Sequence, residues 1–143
     1  SFAKLPLLSG LPIPRFAALR SGDVNMRSGP GTRYPISWVI KKKFLPVKVI
    51  AEHENWRKIE LHDGTIGWVF QSMLAANKTA LIAEEKSVLR KSPDPKASVL
   101  ATLGKGIITQ LELCRGSWCK VSVPQYKGWV ERNHLWGVEF DRK

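Results

Sequence analysis

The sequence predicts an all-β protein made of two small β-barrels in tandem. Three observations support this fold class. A pattern of about 60 residues occurs twice, each copy consists of short apolar runs that alternate with polar residues and end at turn signals, and no segment keeps a sustained 3.6-residue period. Short strands joined by near-sequential hairpins are typical of a small barrel.

The repeat rests on anchor residues that keep the same order and nearly the same spacing in both copies. Arg27 and Trp56 lie 29 positions apart, and Arg90 and Trp118 lie 28 positions apart. The matched positions are Met26 with Leu89, Arg27 with Arg90, Trp56 with Trp118, Lys58 with Lys120, Ile59 with Val121, and Gly67-Trp68-Val69 with Gly128-Trp129-Val130. Order and spacing together indicate a duplicated domain.

The repeat divides the chain into four parts. We expect an extended N-terminal segment at residues 1–18, a first domain at 19–76, a second domain at 80–138 and a C-terminal tail at 139–143. The N-terminal segment is apolar and rich in proline, so we expect it to lie along the first domain or to dock onto another copy of the chain or a partner. The chain starts with Ser1 rather than Met, which favours a processed or trimmed form.

The strands of each copy follow from alternation and turn residues. They are predicted, in order, at residues 24–27, 45–52, 56–61 and 66–70 of the first copy and at 107–114, 118–123 and 128–131 of the second. Asp63-Gly64 is the hairpin signal between two of them, because this pair readily adopts the positive φ values of a tight turn. Residues 80–89 have a helix-like composition, but their place at the head of the second copy predicts a strand and a loop.

The stretch Ser28-Gly29-Pro30-Gly31 is dense in Gly and Pro but does not match a phosphate-binding loop. It lacks the spacing and the Lys-Ser/Thr end of such a loop, and no predicted helix follows it. We interpret it as a tight turn whose geometry is supplied by Gly29 and Gly31. The second copy has Ser92 and Asp94 at these positions, so we expect either a different turn there or a ligand-ready loop in the first copy alone.

These motifs resemble the bacterial SH3 domain, also called SH3b. The positions that carry the resemblance in the first copy are Val24, Asn25, Arg27, Gly29, Pro30, Gly31, Trp56, Lys58, Ile59, Gly64, Gly67, Trp68 and Val69. The chain as a whole is similar to the double-SH3 exported proteins of alphaproteobacteria. The resemblance implies two tandem SH3-like barrels and a non-catalytic binding module of the envelope. The ligands that it implies are peptidoglycan peptides, wall glycopolymers or partner proteins.

The two cysteines favour a disulfide over catalysis or metal binding. Cys114 and Cys119 flank a turn, so they can face each other across a hairpin, which would imply an oxidising compartment. The alternative is a pair of free thiols in a cytosolic barrel. The three histidines lie in unrelated local settings, which leaves a cysteine nucleophile without a base. Too few ligands surround the cysteines for zinc, and we expect neither a metal nor a cofactor.

The aromatic residues are the candidate ligand-binding set. Alternation puts Trp56 and Trp68 on the face opposite the predicted inward residues, and Tyr34 and Trp38 lie in a loop-like stretch after the turn. These four aromatic residues, with Arg27, could line a groove for an extended ligand. The competing interpretation is that tryptophans in so small a domain serve packing.

The sequence therefore predicts a periplasmic or secreted binding protein that recognises peptidoglycan or an extended peptide, chiefly through its first copy. The alternative is a structural or assembly scaffold, with a homo-oligomer formed through the N-terminal segment. A nucleic-acid binder is a less favoured rival, supported by the net charge of +11 alone. No run approaches the roughly 20 apolar residues that span a bilayer.

Overall fold

The computed structural model describes residues 9–139, and the chain divides into two compact units between Asn77 and Lys78. Each unit is built on one seven-stranded antiparallel sheet. The predicted fold class, two tandem SH3-like small β-barrels, is confirmed. Within residues 9–139, no helix has the length and apolar character needed to cross a bilayer. Residues 1–8 of the predicted N-terminal segment and 140–143 of the predicted tail lie outside the described residues.

The first unit contains seven strands and one short 3₁₀ turn. The strands are β1 (Arg15–Leu19), β2 (Val24–Arg27), β3 (Ile36–Ile40), β4 (Pro46–His53), β5 (Trp56–Glu60), β6 (Ile66–Phe70) and β7 (Leu74–Ala75), with the 3₁₀ turn at Gln71–Met73. Their order in the sheet is β3-β2-β6-β5-β4-β1-β7. Strands β4, β5 and β6 therefore form an antiparallel meander. The β2–β3 hairpin joins the sheet through the pairing of β2 with β6.

The second unit repeats this arrangement strand for strand. Its strands are β8 (Thr79–Ile82), β9 (Ser87–Arg90), β10 (Val99–Leu103), β11 (Ile108–Arg115), β12 (Trp118–Val123), β13 (Tyr126–Glu131) and β14 (Leu135–Trp136), with a 3₁₀ turn at Arg132–His134. Their order is β10-β9-β13-β12-β11-β8-β14. Because the two orders are equivalent, each strand of one unit has a counterpart in the other.

The predicted strands are present, and further strands occur where the sequence indicated none. Residues 80–89 contain the end of β8, a loop and most of β9, as predicted, rather than a helix. Strand β1 starts at Arg15, inside the segment that we expected to be an extended tail. Strand β3 contains Trp38, so this residue is not in a loop as predicted. Pairing with β4 and β2 stabilises these two strands, whose own sequences signal them weakly.

Each core is lined by the inward-facing residues that alternate along the strands. Val24 and Met26 of β2 are fully buried, as their predicted common side requires. Gly67 of β6 lies against Met26, since a Cβ there would come within 2.4 Å of Met26 Cγ. Gly128 has the same place in the second unit, where a Cβ would come within 2.5 Å of the Arg90 carbonyl oxygen. The glycine of the Gly-Trp-Val motif therefore permits the close approach of β6 to β2 and of β13 to β9.

Candidate functional site

One end of the central meander carries a row of three cross-strand neighbours. His53 of β4 pairs with Trp56 of β5, and Trp56 pairs with Phe70 of β6. The rings of Trp56 and Phe70 meet edge to face, with centroids 5.5 Å apart and an interplanar angle of 82°. Such a pair contributes about 0.5–1.5 kcal/mol beyond the burial of its area. The row forms a firm, largely apolar floor.

The loop between β2 and β3 forms a wall beside this floor. Hydrogen bonds from Arg27 anchor the loop. The Arg27 Nη1 donates hydrogen bonds to the carbonyl oxygens of Thr32 at 3.1 Å and Tyr34 at 2.8 Å. At the loop surface, Arg33 lies over the Tyr34 ring with its guanidinium carbon 5.1 Å from the centroid. The Arg33 Nη2 also donates to the Tyr34 hydroxyl at 3.2 Å, which raises the pKa of a guanidinium that is already charged. The wall is basic and anchored at several points.

Floor and wall enclose an open groove of about 730 Å³. Its lining residues are Asn25, Arg27, Pro30, Gly31, Thr32, Arg33, His53, Glu54, Trp56, Phe70 and Met73. The volume is within the range of small-molecule and peptide-side-chain sites, about 300–1,000 Å³. The groove combines an apolar floor with basic side chains at one rim and a single carboxylate, so it suits a ligand that carries apolar groups next to an acidic group.

The groove contains some of the sequence-predicted binding residues and not others. Arg27 and Trp56 line it. Trp38 is 60% exposed on β3, outside the lining, and Trp68 is half-buried on β6, also outside it. Tyr34 is outside the lining as well, because its ring packs onto Gly29. Of the four aromatic residues predicted to line one groove, Trp56 does so, and its aromatic neighbour there is Phe70.

His53, Phe70 and Met73 line the groove but were not among the sequence-predicted binding residues. The alternation already placed Phe70 on the outer face with Trp68. The Asp63-Gly64 turn sets the register of the β5–β6 hairpin, and that register puts Phe70 directly opposite Trp56. His53 and Met73 offered no comparable signal, because a neighbouring strand and a 3₁₀ turn bring them to the groove.

Gly29 is a glycine because of Tyr34. Neither Gly29 nor Gly31 has a positive φ, so the backbone conformation of the turn does not require glycine at either position. A Cβ on Gly29 would lie 2.5 Å from Tyr34 Cδ1, a distance that real Cβ atoms do not show, whereas a Cβ on Gly31 would be 3.6 Å from the ring. The ring therefore requires glycine at position 29 and leaves ordinary contact room at position 31.

A cluster of buried charge lies directly behind the groove floor. The Glu52 carboxylate is 2.9 Å from Arg15 Nη1 and 3.4 Å from Arg57 Nε, and its side chain is 5% exposed. Burial by itself would raise the pKa of Glu52. Hydrogen bonds from Ser9 and Arg15, and the charge of Arg57, outweigh burial and lower this pKa below its ordinary value.

Arg57 connects this charge cluster to residues of the groove through hydrogen bonds. Its Nη1 donates to the carbonyl oxygens of Glu54 at 2.7 Å and Trp56 at 2.9 Å, and its Nη2 donates to Gln71 Oε1 at 3.0 Å. These bonds tie the tip of the β4–β5 hairpin to the 3₁₀ turn that follows β6. The cluster therefore positions Trp56 within the floor.

In the second unit, Cys114 and Cys119 occupy the register position of Glu52 and Arg57. They are joined by a disulfide, with Cα atoms 4.0 Å apart, slightly closer than the 4.4–6.8 Å on which the sequence prediction was based. The two residues lie directly opposite each other in the β11–β12 ladder. Within residues 9–139, no group of three or more His, Cys, Asp or Glu side chains is placed to hold a metal ion.

The counterpart of the groove row in the second unit is charged. Arg115 pairs with Trp118, and Trp118 pairs with Glu131, at the positions of His53, Trp56 and Phe70. Glu131 Oε2 lies 3.7 Å from His134 Nε2, and His134 has the place of Met73. The apolar floor is thus a property of the first unit.

Comparison with known proteins gives two kinds of match. A family model described as "Bacterial SH3 domain" matches residues 20–75 and again residues 83–137. A Bacillus subtilis (strain 168) protein named "Putative N-acetylmuramoyl-L-alanine amidase YrvJ" is 24% identical over 131 residues, which is 83% of this chain and 25% of that protein. The chain therefore spans about a quarter of the length of this relative.

Among solved structures, the chain is similar to NlpC1 from Trichomonas vaginalis, with 7% identity, a TM-score of 0.41, and coverage of 90% of this chain and 48% of that one. It is also similar to an NlpC/P60 family protein from Bacillus cereus ATCC 10987, with 14% identity, a TM-score of 0.40, and coverage of 84% and 55%. These values support no statement about function.

Proposed function

Because this chain belongs to the bacterial SH3 domain family, we propose that it is a non-catalytic binding module of the bacterial envelope that recognises peptidoglycan through the groove of its first unit. The observation that carries the proposal is the row of His53, Trp56 and Phe70 beneath a basic loop. Peptide stems of peptidoglycan present small apolar side chains next to carboxylates, and this groove offers partners for both.

The matched relative is consistent with such a ligand. That relative is named as an amidase of N-acetylmuramoyl-L-alanine, a unit of peptidoglycan. This chain matches about a quarter of that protein and consists of SH3 repeats over the matched ranges, so binding rather than catalysis is the activity that we carry over. A periplasmic or secreted location belongs to the same proposal, since a disulfide persists in oxidising compartments.

The chemistry of the groove favours recognition over attraction by charge alone. Trp56 and Phe70 supply a flat apolar surface, and a ligand that covers it gains about 25 cal/mol per Å² of apolar area. Arg33 lies at the rim, where a carboxylate could bind it in exchange for water. The contribution of Arg33 should weaken with salt, whereas that of the floor should not.

The test is sedimentation of the purified chain with insoluble peptidoglycan at low and high salt. We expect retention at both salt concentrations, and at least about a fivefold loss of affinity for Phe70→Glu, which corresponds to roughly 1 kcal/mol. The second unit carries Glu131 at this position, so the substitution is compatible with the fold. Its matched control, Glu131→Gln in the second unit, should leave retention unchanged.

Two outcomes would contradict the proposal. If the chain is not retained at either salt concentration, it does not bind peptidoglycan. If retention occurs at low salt alone and Phe70→Glu behaves as the unsubstituted chain, the net positive charge accounts for the binding and the groove has no role in it.

A further inference from the structure

The outer edge of β3 is a second surface of the first unit, and it shares Arg33 with the rim of the groove. None of Ile36, Trp38 and Val39 lines the groove. Strand β3 is the last strand of its sheet and pairs with β2 on one side. Among residues 9–139, no strand pairs with its other side. A sheet edge of this kind presents backbone N–H and C=O groups that can accept another strand.

Strand β3 is apolar and exposed on both faces. Ile36, Trp38 and Val39 are exposed by 45%, 60% and 46%. Trp38 pairs with the buried Met26 and Val39 with the exposed Asn25, so their side chains point to opposite faces of the sheet. An added strand would cover both faces, because its own side chains alternate, whereas a helix on one face would leave the other uncovered.

Both ends of the strand are basic, and the strand itself carries no charge. Exposed Arg33 precedes β3, and exposed Lys41, Lys42 and Lys43 follow it, with Lys41 in an ion pair with Asp23 at 2.6 Å. Charged residues that protect natural sheet edges usually lie on the edge strand, where they interrupt pairing. Here the positive charges flank an uncharged strand of four apolar residues and Ser37.

We propose that the β3 edge is a docking site for an extended segment of a partner protein, with apolar residues at its centre and acidic residues at both ends, that joins the sheet as an additional strand. Backbone hydrogen bonds would give the segment its register, and the flanking acids would meet Arg33 at one end and Lys42 and Lys43 at the other. Trp38 would be the principal side-chain contact, because exposed tryptophans at the centre of an interface supply much of its energy.

Charge argues against a second copy of this chain as the occupant. An antiparallel pair of β3 strands would bring Arg33 of each copy next to Lys42 and Lys43 of the other. A parallel pair would align like residues. Both arrangements oppose positive charges across the ladder, in a chain whose net charge is already +11. Acidic ends convert the same contacts into attraction.

The second unit provides an internal control for the role of Trp38. Its edge strand β10 has Ala101 paired with Leu89, where β3 has Trp38 paired with Met26. The fold therefore tolerates alanine at this position. Trp38→Ala removes the main exposed contact of the edge and leaves its backbone groups in place.

The experiment is a nuclear magnetic resonance titration of the full chain with a blocked peptide of about nine residues, a common strand length. The peptide has two Glu at each end and alternating Val and Thr between them. We expect amide shifts and added hydrogen-exchange protection in residues 36–40, affinity that falls with salt, and about a tenfold weaker affinity for Trp38→Ala. Val99→Ala, at an exposed position of β10, should leave the affinity unchanged.

Control peptides decide between this docking mode and its alternatives. Peptides with Lys in place of Glu, or with N-methylated central amides, should not bind. Equal binding of either control peptide, no binding of the Glu peptide, or shifts centred on His53 and Phe70 would overturn the proposal. Self-association through residues 36–40 would overturn it as well, since the occupant would then be a second copy. Amide shifts at the groove residues would report on the proposed peptidoglycan site, whereas shifts in residues 36–40 report on the β3 edge. Failures of the two proposals are therefore distinguishable.

Discussion

The first unit links β4 to β5 by the Glu52–Arg57 ion pair, and the second links β11 to β12 at the same register position by the Cys114–Cys119 disulfide. The ion pair is buried and needs a third charged partner, Arg15, to satisfy the carboxylate. The disulfide needs none. One backbone position can therefore hold two chemically different cross-strand links. The ion pair depends on protonation, and the disulfide depends on redox conditions.

The loops that follow β2 and β9 show a second contrast on a shared backbone. Their hydrogen bonds are equivalent: Arg27 donates to the carbonyl of Tyr34 and Arg90 to that of Ala97, each at 2.8 Å. The backbone amides of Gly31 and Asp94 donate to the residue two positions earlier, at 2.9 and 2.8 Å. The turn is therefore the same in both units, and the first of the alternatives raised by the sequence, a different turn, is wrong.

The difference between the loops lies in one aromatic ring. Tyr34 of the first unit corresponds to Ala97 of the second, and Gly29 corresponds to Ser92. Where the ring is absent, a side chain at the glycine position is accommodated. The glycine of the first loop is thus a consequence of the Tyr34 ring, which lies against it.

The largest loss of stability is expected for Glu52→Ala. It leaves Arg15 and Arg57 buried without their carboxylate, and we expect the first unit to lose about 3–5 kcal/mol of stability. Native-state hydrogen exchange measures the two units separately. Amides of β4 and β5 should lose protection, and amides of β11 and β12 should not.

Two controls accompany this variant. Glu60→Gln removes a half-exposed pair with Lys48 at 3.9 Å and should cost less than about 1 kcal/mol. Reduction of the Cys114–Cys119 disulfide should lower protection in the second unit alone, by about 2 kcal/mol for so short a loop. Equal losses in both units after either change would contradict the independence of the two links.

An intermediate effect is expected for Gly29→Ala. The new Cβ would meet the Tyr34 ring, and we expect a loss of about 1–3 kcal/mol in the first unit, typical of overpacking. The double variant Gly29→Ala/Tyr34→Ala approximates the second loop, which has Ser92 and Ala97 at these positions. Gly29→Ala should therefore cost much less in a chain that already carries Tyr34→Ala than in the unsubstituted chain. Chemical denaturation of the four chains in this cycle measures the coupling.

The matched control for this cycle is Gly31→Ala. Its Cβ would be in ordinary contact with the ring, so we expect a change within about 0.5 kcal/mol. If Gly31→Ala were as damaging as Gly29→Ala, backbone conformation rather than the ring would explain both glycines.

The smallest effect is the acid response of the Glu52 cluster. The pKa of Glu52 is lowered in the folded chain from an ordinary value of 4.5. A lowered pKa contributes stability that is complete above the unfolded-state value and is lost as pH falls through the folded-state value. Protection of β4 and β5 should therefore decline below about pH 4.5. Glu52→Gln should reduce this decline, and an unchanged pH profile in that variant would assign the acid response to other groups.

Much of this molecule was predictable, and the exceptions depend on contacts that the local sequence does not specify. The strands at β4, β5 and β6 follow from alternation and turn residues. Trp56, one of the sequence-predicted binding residues, lines the groove, and its part in binding stays a prediction. Strand β3 was missed because its sequence lacks alternation and its partner, β2, precedes the loop. The place of the Tyr34 ring was missed because a loop sequence does not specify which way a side chain packs.

The all-β class, the duplication and the strong positive charge follow from the amino-acid sequence, because alternation, turn chemistry and charge are local properties that do not depend on distant partners. The tertiary structure alone decided that His53, Trp56, Phe70 and Met73 share a groove, and that a buried ion pair and a disulfide occupy one position in the two units. These facts depend on the register between strands and on burial, which bring together residues that lie far apart in the chain.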